Sequence, residues 1–215
     1  MNAPEKIVQG SDAWLQSRLG KATGSRIGDV MAKIKAGEAA ARRDYRTELV
    51  AEILTGKSTE FFVTADMRWG TDCEPLARAA YEAEMGVIIE ETGLVDHPTI
   101  PMSGASPDGL VGSDGLIEMK CPKTATHIKN IFADEAPSEY VPQMQWEMVC
   151  TGRKWCDFVS FDPRLPPDMQ LFIKRVHRDD KVIAEYEAEV IKFNKEVEDT
   201  VAKLIAIRRQ QGEPA

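Results

Sequence analysis

Apolar residues recur every three to four positions through the first 85 residues, the spacing of helices with one buried face. The segment SDAWLQSRLG (11–20) predicts a short helix, capped by Ser11 or Asp12 and ended by Gly20. Thr23–Ser25 supply N-cap chemistry for a second helix carrying Ile27, Val30, Met31 and Ile34. Tyr45, Leu49, Ile53 and Leu54 mark a third over 41–55, stopped by Gly56. Residues 57–70 read as a loop with Phe61 and Phe62 exposed. Asp72 then opens a fourth helix, with Pro75 in its first turn, Gly86 at its end and Leu76, Ala79, Ala80 and Ala83 facing the core.

Beyond Gly86 the period changes. Residues 87–97 (VIIEETGLVDH) are β-branched and strand-like, followed by turn signals at Pro98, Pro101 and Ser106-Pro107-Asp108-Gly109. Two short strands, Gly109–Val111 and Gly115–Lys120, flank Gly112-Ser113-Asp114, a hairpin signal. Helical stretches at 124–133 and 141–151 are separated by a loop at Pro137. Strands follow at Trp155–Phe161 and Met169–Val176, and one long amphipathic helix spans about 179–210. This order predicts an α/β (α+β) fold, a central mixed β-sheet flanked by helices, in a single domain over residues 1–215. No internal repeat or low-complexity tract interrupts it.

Composition narrows the class. With 43% hydrophobic and 29% charged residues the chain can build a packed core and is not of the disordered type. No basic and apolar leader opens it, and no apolar run approaches the roughly 20 residues of a membrane span, so a soluble, intracellular protein is expected. Cys73, Cys121, Cys150 and Cys156 are scattered without a CxxC pair, which suits reduced thiols better than a zinc site. His97, His127 and His177 offer no triad spacing. The net charge of −8 argues against nucleic acid, since phosphate binding rewards Lys and Arg. The charge is uneven, however: residues 1–60 carry +2 and the remainder −10. A local basic lining, or a metal ion held by carboxylates, would reconcile an acidic chain with DNA.

The chemistry concentrates in Ser106-Pro107-Asp108-Gly109-Leu110 and Gly115-Leu116-Ile117-Glu118-Met119-Lys120-Cys121-Pro122. Alternate side chains of a strand share a face. Ile117 and Met119 should therefore enter the core, with Glu118 and Lys120 together on the other side. Asp108 precedes Glu118 by ten residues across the hairpin, so the two carboxylates can meet at one end of the sheet. Mg²⁺ takes oxygen ligands at about 2.0–2.1 Å, typically one or two carboxylates plus waters and substrate phosphate. A bound metal lowers the pKa of its water and neutralises charge at phosphorus. Glu-x-Lys alone describes an ordinary surface pair; the hairpin spacing and the Cys-Pro that follows make it specific.

These strings resemble the PD-(D/E)xK nuclease superfamily, and within it the phage lambda exonuclease / YqaJ viral recombinase family. Pro107-Asp108 and Glu118-Met119-Lys120 fit the superfamily signature. Trp14 with Arg18-Leu19-Gly20 and Thr23-Gly24-Ser25 resembles the family's N-terminal block. Arg68-Trp69-Gly70 with Glu74 resembles its G-x-x-x-E helix. Tyr140, Gln143, Gln145 and Trp146 resemble its Gln-rich helix, and Phe161-Asp162-Pro163-Arg164 the strand end beyond it. The resemblance spans roughly residues 14–200.

The resemblance implies a Mg²⁺-dependent exonuclease (Mn²⁺ substituting) that digests one strand of linear double-stranded DNA from a 5′-phosphate end and leaves 3′ overhangs. It implies a ring-shaped homotrimer, a single-strand-annealing recombinase as partner, and a phage or prophage gene acting in a bacterial cytoplasm, away from membranes. Asp108 and Glu118 would be metal ligands, with the Met119 carbonyl, and Lys120 would position the attacking water. Glu74 would complete the acidic site, through water or a second metal, with Gln143 and Gln145 near it. Arg18, Ser25 and Ser106 match the family's 5′-phosphate pocket. Lys33, Lys35, Arg42, Arg43 and Arg46 are candidates to line the DNA channel, and Trp14, Trp146 and Trp155 are expected in the core. The competing readings are an endonuclease on the same fold and a catalytically silent DNA-binding module.

Overall fold

The computed structural model describes residues 9–59 and 64–212. The helices are α1 (Asp12–Arg18), α2 (Ile27–Met31), α3 (Ala40–Thr55), α4 (Ala65–Met85), α5 (Thr124–Ala133), α6 (Val141–Thr151) and α7 (Asp180–Gly212). The strands are β1 (Ala22–Thr23), β2 (Ile89–Glu90), β3 (Val95–Asp96), β4 (Ser103–Ala105), β5 (Gly109–Val111), β6 (Gly115–Lys120), β7 (Trp155–Phe161) and β8 (Leu171–His177). Ser11 caps α1 by accepting from Trp14 N at 3.2 Å, and Thr64 caps α4 by accepting from Met67 N at 3.2 Å. Asp179 caps α7 through its Oδ1, which accepts from Lys181 N and Val182 N.

The expected mixed sheet has five strands in the order β2-β5-β6-β7-β8. A second, unforeseen sheet has three, β1-β4-β3, with β1 and β4 parallel. The β5–β6 hairpin pairs Gly109 with Ile117 and Val111 with Gly115. β6 runs parallel to β7 over its whole length, and α5 and α6 make the crossover. Gly109 is required at the hairpin: a Cβ there would lie 2.0 Å from Ile89 Cγ2.

Both faces of the large sheet are covered. Ala77 and Tyr81 of α4 pack on Ile89, Val111, Ile117, Met119, Val159 and Phe161. Met144 and Met148 of α6 pack on Leu116, Cys156 and Phe158 on the opposite face. A third cluster joins α2, α3, α6 and α7 around Ile27, Tyr45, Trp146 and Phe193. Among the described residues, no helix is long and apolar enough to cross a membrane. The four cysteines are free thiols.

Several expected details differ. The fourth helix begins at Ala65, not Asp72, so Pro75 sits in its interior, where it has no N–H to offer the preceding turn. Its buried face is Cys73, Ala77 and Tyr81, with Ala80 packed against the same cluster as expected, whereas Leu76 is 53% exposed and Ala79 and Ala83 face solvent. The aromatic ring, not the alanine stripe, sets the rotation, because the Tyr81 hydroxyl donates to buried Asp157 at 2.8 Å. The strand expected over 87–97 divides into β2 and β3, which pair in different sheets. The second helix stops at Met31, leaving Ile34 exposed. Phe61 and Phe62 lie outside the described residues.

Candidate active site

The hairpin brings the predicted carboxylates together. Asp108 Oδ2 accepts a hydrogen bond from Met119 N at 2.6 Å, which holds it against the end of β6. Glu118 shares the sheet face of Leu116, and α6 covers that face, so its side chain is fully buried rather than half-solvated. Its Oε1 is paired with Lys120 Nζ at 2.5 Å, while Oε2 is buried with no hydrogen-bond partner. Lys120 in turn stands 5.1 Å from the Tyr140 ring centroid. Burial disfavours its charge, but Glu118 and Asp108 outweigh that and push its pKa up, so it is an ammonium.

Glu74 projects from α4 toward this group. It lies 3.8 Å from Arg78 Nη2, and that guanidinium donates to the Asp108 carbonyl at 2.8 Å. Burial raises the Glu74 pKa; Arg78 opposes this and the Glu118 charge adds to it. Burial, and then the neighbouring Glu118, hold Asp108 well above the usual carboxylate range. A cavity of about 410 Å³ opens here, lined by Glu74, Met119, Lys120, Cys121 and Tyr140 among others.

The two glutamines separate. Gln143 faces the site and donates to Glu147 Oε1 at 2.9 Å. Gln145 is not brought to the carboxylates: its amide donates to the His177 carbonyl and accepts from Asp179 N, tying α6 to the start of α7. Two residues apart on a helix point about 200° apart, so both cannot face the carboxylates, and Gln145 is buried on another side rather than solvated. The residue missed from the sequence is Glu147, buried beside Glu118 and likewise raised well above the carboxylate range by burial and then by Glu118. Its signal was available: Gln143 and Glu147 are four apart and share a helix face.

Arg18, Ser25 and Ser106 do converge. Arg18 Nη1 donates to Ser106 Oγ at 3.1 Å, and Nη2 to Thr23 Oγ1 at 3.0 Å and Ser25 Oγ at 3.4 Å. Thr23, read from the sequence only as a cap, is thus a pocket residue. Trp14 is half-buried pocket wall rather than core: its Nε1 donates to Ser106 Oγ at 3.0 Å, and the Arg18 guanidinium stacks 4.3 Å from its ring centroid. Trp146 is core as expected, while Trp155 is only half-buried, under Arg175. Among the described residues no carboxylate pairs with Arg18, so its charge is uncommitted. A cavity of about 330 Å³ lies here, and Met67 lines both it and the cavity over Lys120.

The expected channel cations fare differently. Arg42 is buried and donates to the Val30 carbonyl and to both oxygens of Glu196. Arg46 pairs with Glu38 and Glu196, and Arg43 with Asp44. Arg42 and Arg46 thus tie α3 to α7, whereas Arg43 stays exposed on α3, as do Lys33 and Lys35 in the loop before it.

The donor chemistry fits a hard divalent cation. Oε2 of Glu118 and Oε2 of Glu147 are buried without hydrogen-bond partners, in a cluster where Asp108 adds another carboxylate and Lys120 one compensating charge. Among the described residues no three acidic, His or Cys side chains enclose a point by themselves. Such a site suits Mg²⁺, which needs few protein ligands and keeps its waters.

The sequence pattern of the YqaJ-like viral recombinase domain matches residues 13–154, a span that holds every residue of both subsites. The chain belongs to the YqaJ-like viral recombinase family. Two crystal structures of LHK-Exo, one described as an alkaline exonuclease from Laribacter hongkongensis and one in complex with dAMP, are each 50% identical to this YqaJ-like chain. Each superposes with a TM-score of 0.89 over 94% of this chain and 100% of its own. A phage-related exonuclease from Haemophilus somnus 129PT is 16% identical over 86% of this chain and 96% of its own, with a TM-score of 0.69, which shows a shared fold. No curated protein matches the chain.

Proposed function

We propose that this protein is a Mg²⁺-dependent exonuclease of the PD-(D/E)xK type that digests one strand of linear duplex DNA from a 5′-phosphorylated end, leaving 3′ overhangs for strand annealing. The observation that carries this is the adjacency of two subsites: a buried acidic group beside an ammonium, and an unpaired arginine held by three hydroxyls. Family membership and the 50% identity to an alkaline exonuclease support it. So does the dAMP held by that relative, a deoxynucleoside monophosphate of the kind such digestion releases.

Asp108, Glu118 and the Met119 carbonyl would hold Mg²⁺, with Glu74 reaching it through water. Bound there, the ion supplies a more acidic water and offsets negative charge at phosphorus. Arg18, with Ser25, Thr23 and Ser106, grips the terminal phosphate and so sets the next phosphodiester over the carboxylates. Lys120, already protonated, donates a hydrogen bond that orients the attacking water and stabilises charge as it develops. The water oxygen bonds to phosphorus and releases a proton to solvent, the P–O3′ bond breaks, and the 3′ oxygen leaves as a hydroxyl, taking a proton from solvent. The assembly proposed is a homotrimeric ring around the DNA, cooperating with a single-strand-annealing recombinase.

Linear duplex labelled separately at each 5′ and 3′ end, with and without Mg²⁺, tests the reading alongside a closed circular duplex. Loss of the 5′ label first, only with Mg²⁺, and an intact circle are expected. A nicked circle would make the protein an endonuclease, and metal-independent release would remove the proposed chemistry. A monomer by light scattering would remove the ring.

A further inference from the structure

Glu147 is a carboxylate that the mechanism above leaves idle. It projects from α6 one turn beyond Gln143 and is 1% exposed. Gln143 Nε2 satisfies its Oε1, but Oε2 is buried with no hydrogen-bond partner. Oε2 of the neighbouring Glu118 is in the same state, its Oε1 being paired with Lys120. A carboxylate oxygen shut away from water without a donor is costly, and folds seldom keep one without a use. Packing does not explain it, because glutamine would fill the same volume and still accept the bond from Gln143.

The surroundings point to what the oxygen awaits. The Glu147 charge acts on Glu118, Asp108 and Lys120 on one side and on Arg18 on the other. Its Cγ stands 3.7 Å from where a Cβ on Gly24 would lie, so the Thr23-Gly24-Ser25 turn of the arginine pocket packs directly against it. Glu147 therefore sits between the two subsites. Lys120 brings one positive charge to a group of four carboxylates, Glu74, Asp108, Glu118 and Glu147, leaving room for a divalent cation.

We propose that Glu147 is a further, fourth carboxylate of the divalent-cation centre beside Asp108, Glu118 and Glu74, reaching the ion from α6 on the side of the end-phosphate pocket. Glu147 would act through a metal-bound water, of the kind Mg²⁺ and Mn²⁺ readily retain. The inference rests on Asp108 and Glu118 being the direct ligands.

Mn²⁺ titration of the DNA-free protein, followed by electron paramagnetic resonance, tests it in wild type, Glu147→Gln, Glu147→Asp and Asp108→Asn. Outer ligands of a metal site typically contribute about 10–100-fold in affinity. Glu147→Gln should weaken Mn²⁺ binding by that order, and Glu147→Asp should recover part of it. Mn²⁺ should also raise the melting temperature of wild type more than that of Glu147→Gln. Should Glu147→Gln fail to fold, Glu147→Asp alone must still bind Mn²⁺ more weakly than wild type. Affinity within about twofold of wild type in the folded Glu147 variants would overturn the inference, being far below the outer-ligand effect. If instead Asp108→Asn bound Mn²⁺ as wild type does, the metal centre itself would be misplaced, which is a separate failure.

Discussion

Arg18→Ala offers the sharpest test of how the protein engages a DNA end. In the structure the guanidinium is held by Ser106, Thr23 and Ser25, and stacks on Trp14. All three partners are neutral hydroxyls, so the charge remains available to a phosphate and its plane is already fixed. Burial lowers the Arg18 pKa, with Tyr45, Glu52 and Glu147 opposing, but an arginine stays protonated at any working pH. Removing one charge-assisted contact costs about 1.5–3 kcal/mol, a factor of roughly 10–150 at about 1.4 kcal/mol per decade. Initial rates should be compared on linear duplexes with 5′-phosphate and 5′-hydroxyl ends. Wild type should prefer the phosphate by that factor, and Arg18→Ala should lose most of the preference while binding Mn²⁺ normally. Arg18→Lys keeps the charge but not the fork, and should fall between the two. The reasoning fails if wild type shows no preference, or if the alanine variant keeps the wild-type ratio.

Asp108→Ala, Glu118→Ala and Lys120→Ala should each abolish Mg²⁺-dependent digestion in folded protein, since ligands and cation act as one unit; Lys120→Ala retaining most of the wild-type rate would refute the assignment. Ca²⁺ should bind without supporting turnover, read as a melting-temperature rise without product. Metal-free stability should fall as pH rises above the ordinary carboxylate range near 4, because Asp108 and Glu147 hold their protons to higher pH in the folded state than in the unfolded one. Melting curves against pH, with and without Mn²⁺, would show this, with the metal's gain largest on the alkaline side; a flat metal-free profile would contradict it. Asp157→Ala should cost about 3 kcal/mol in urea unfolding, the low end for a broken buried pair. Asp157 is bonded to Tyr81 and Arg175, and the Arg175 side chain is 39% exposed and so remains hydrated; a loss under about 1 kcal/mol, as for a surface pair, would count against it.

Much of the site was legible along the chain because it is local. The β5–β6 turn and the two-residue alternation of β6 are enough to set Asp108 opposite Glu118 and Lys120 beside it, and the structure agrees. The Arg18 pocket was legible only through the family resemblance, since its members, at 18, 25 and 106, meet across 88 residues of chain. Thr23 and Trp14 joined it only once β1 paired with β4, which brings Ser106 beside them.

What the tertiary structure alone decided is what covers each face. Periodicity shows that Glu118 leaves the face of Ile117 and Met119, but not that α6 closes over the other side, burying it and delivering Glu147. The same holds for charge. Arg42 counts as a free cation in the sequence, yet Glu196, 154 residues later, neutralises it. It holds for α4 too, where a run of alanines marks a plausible inner face and the Tyr81–Asp157 bond selects another. Backbone pattern follows from neighbours a few residues away, whereas desolvation and ion pairing depend on which distant segments arrive in the same place.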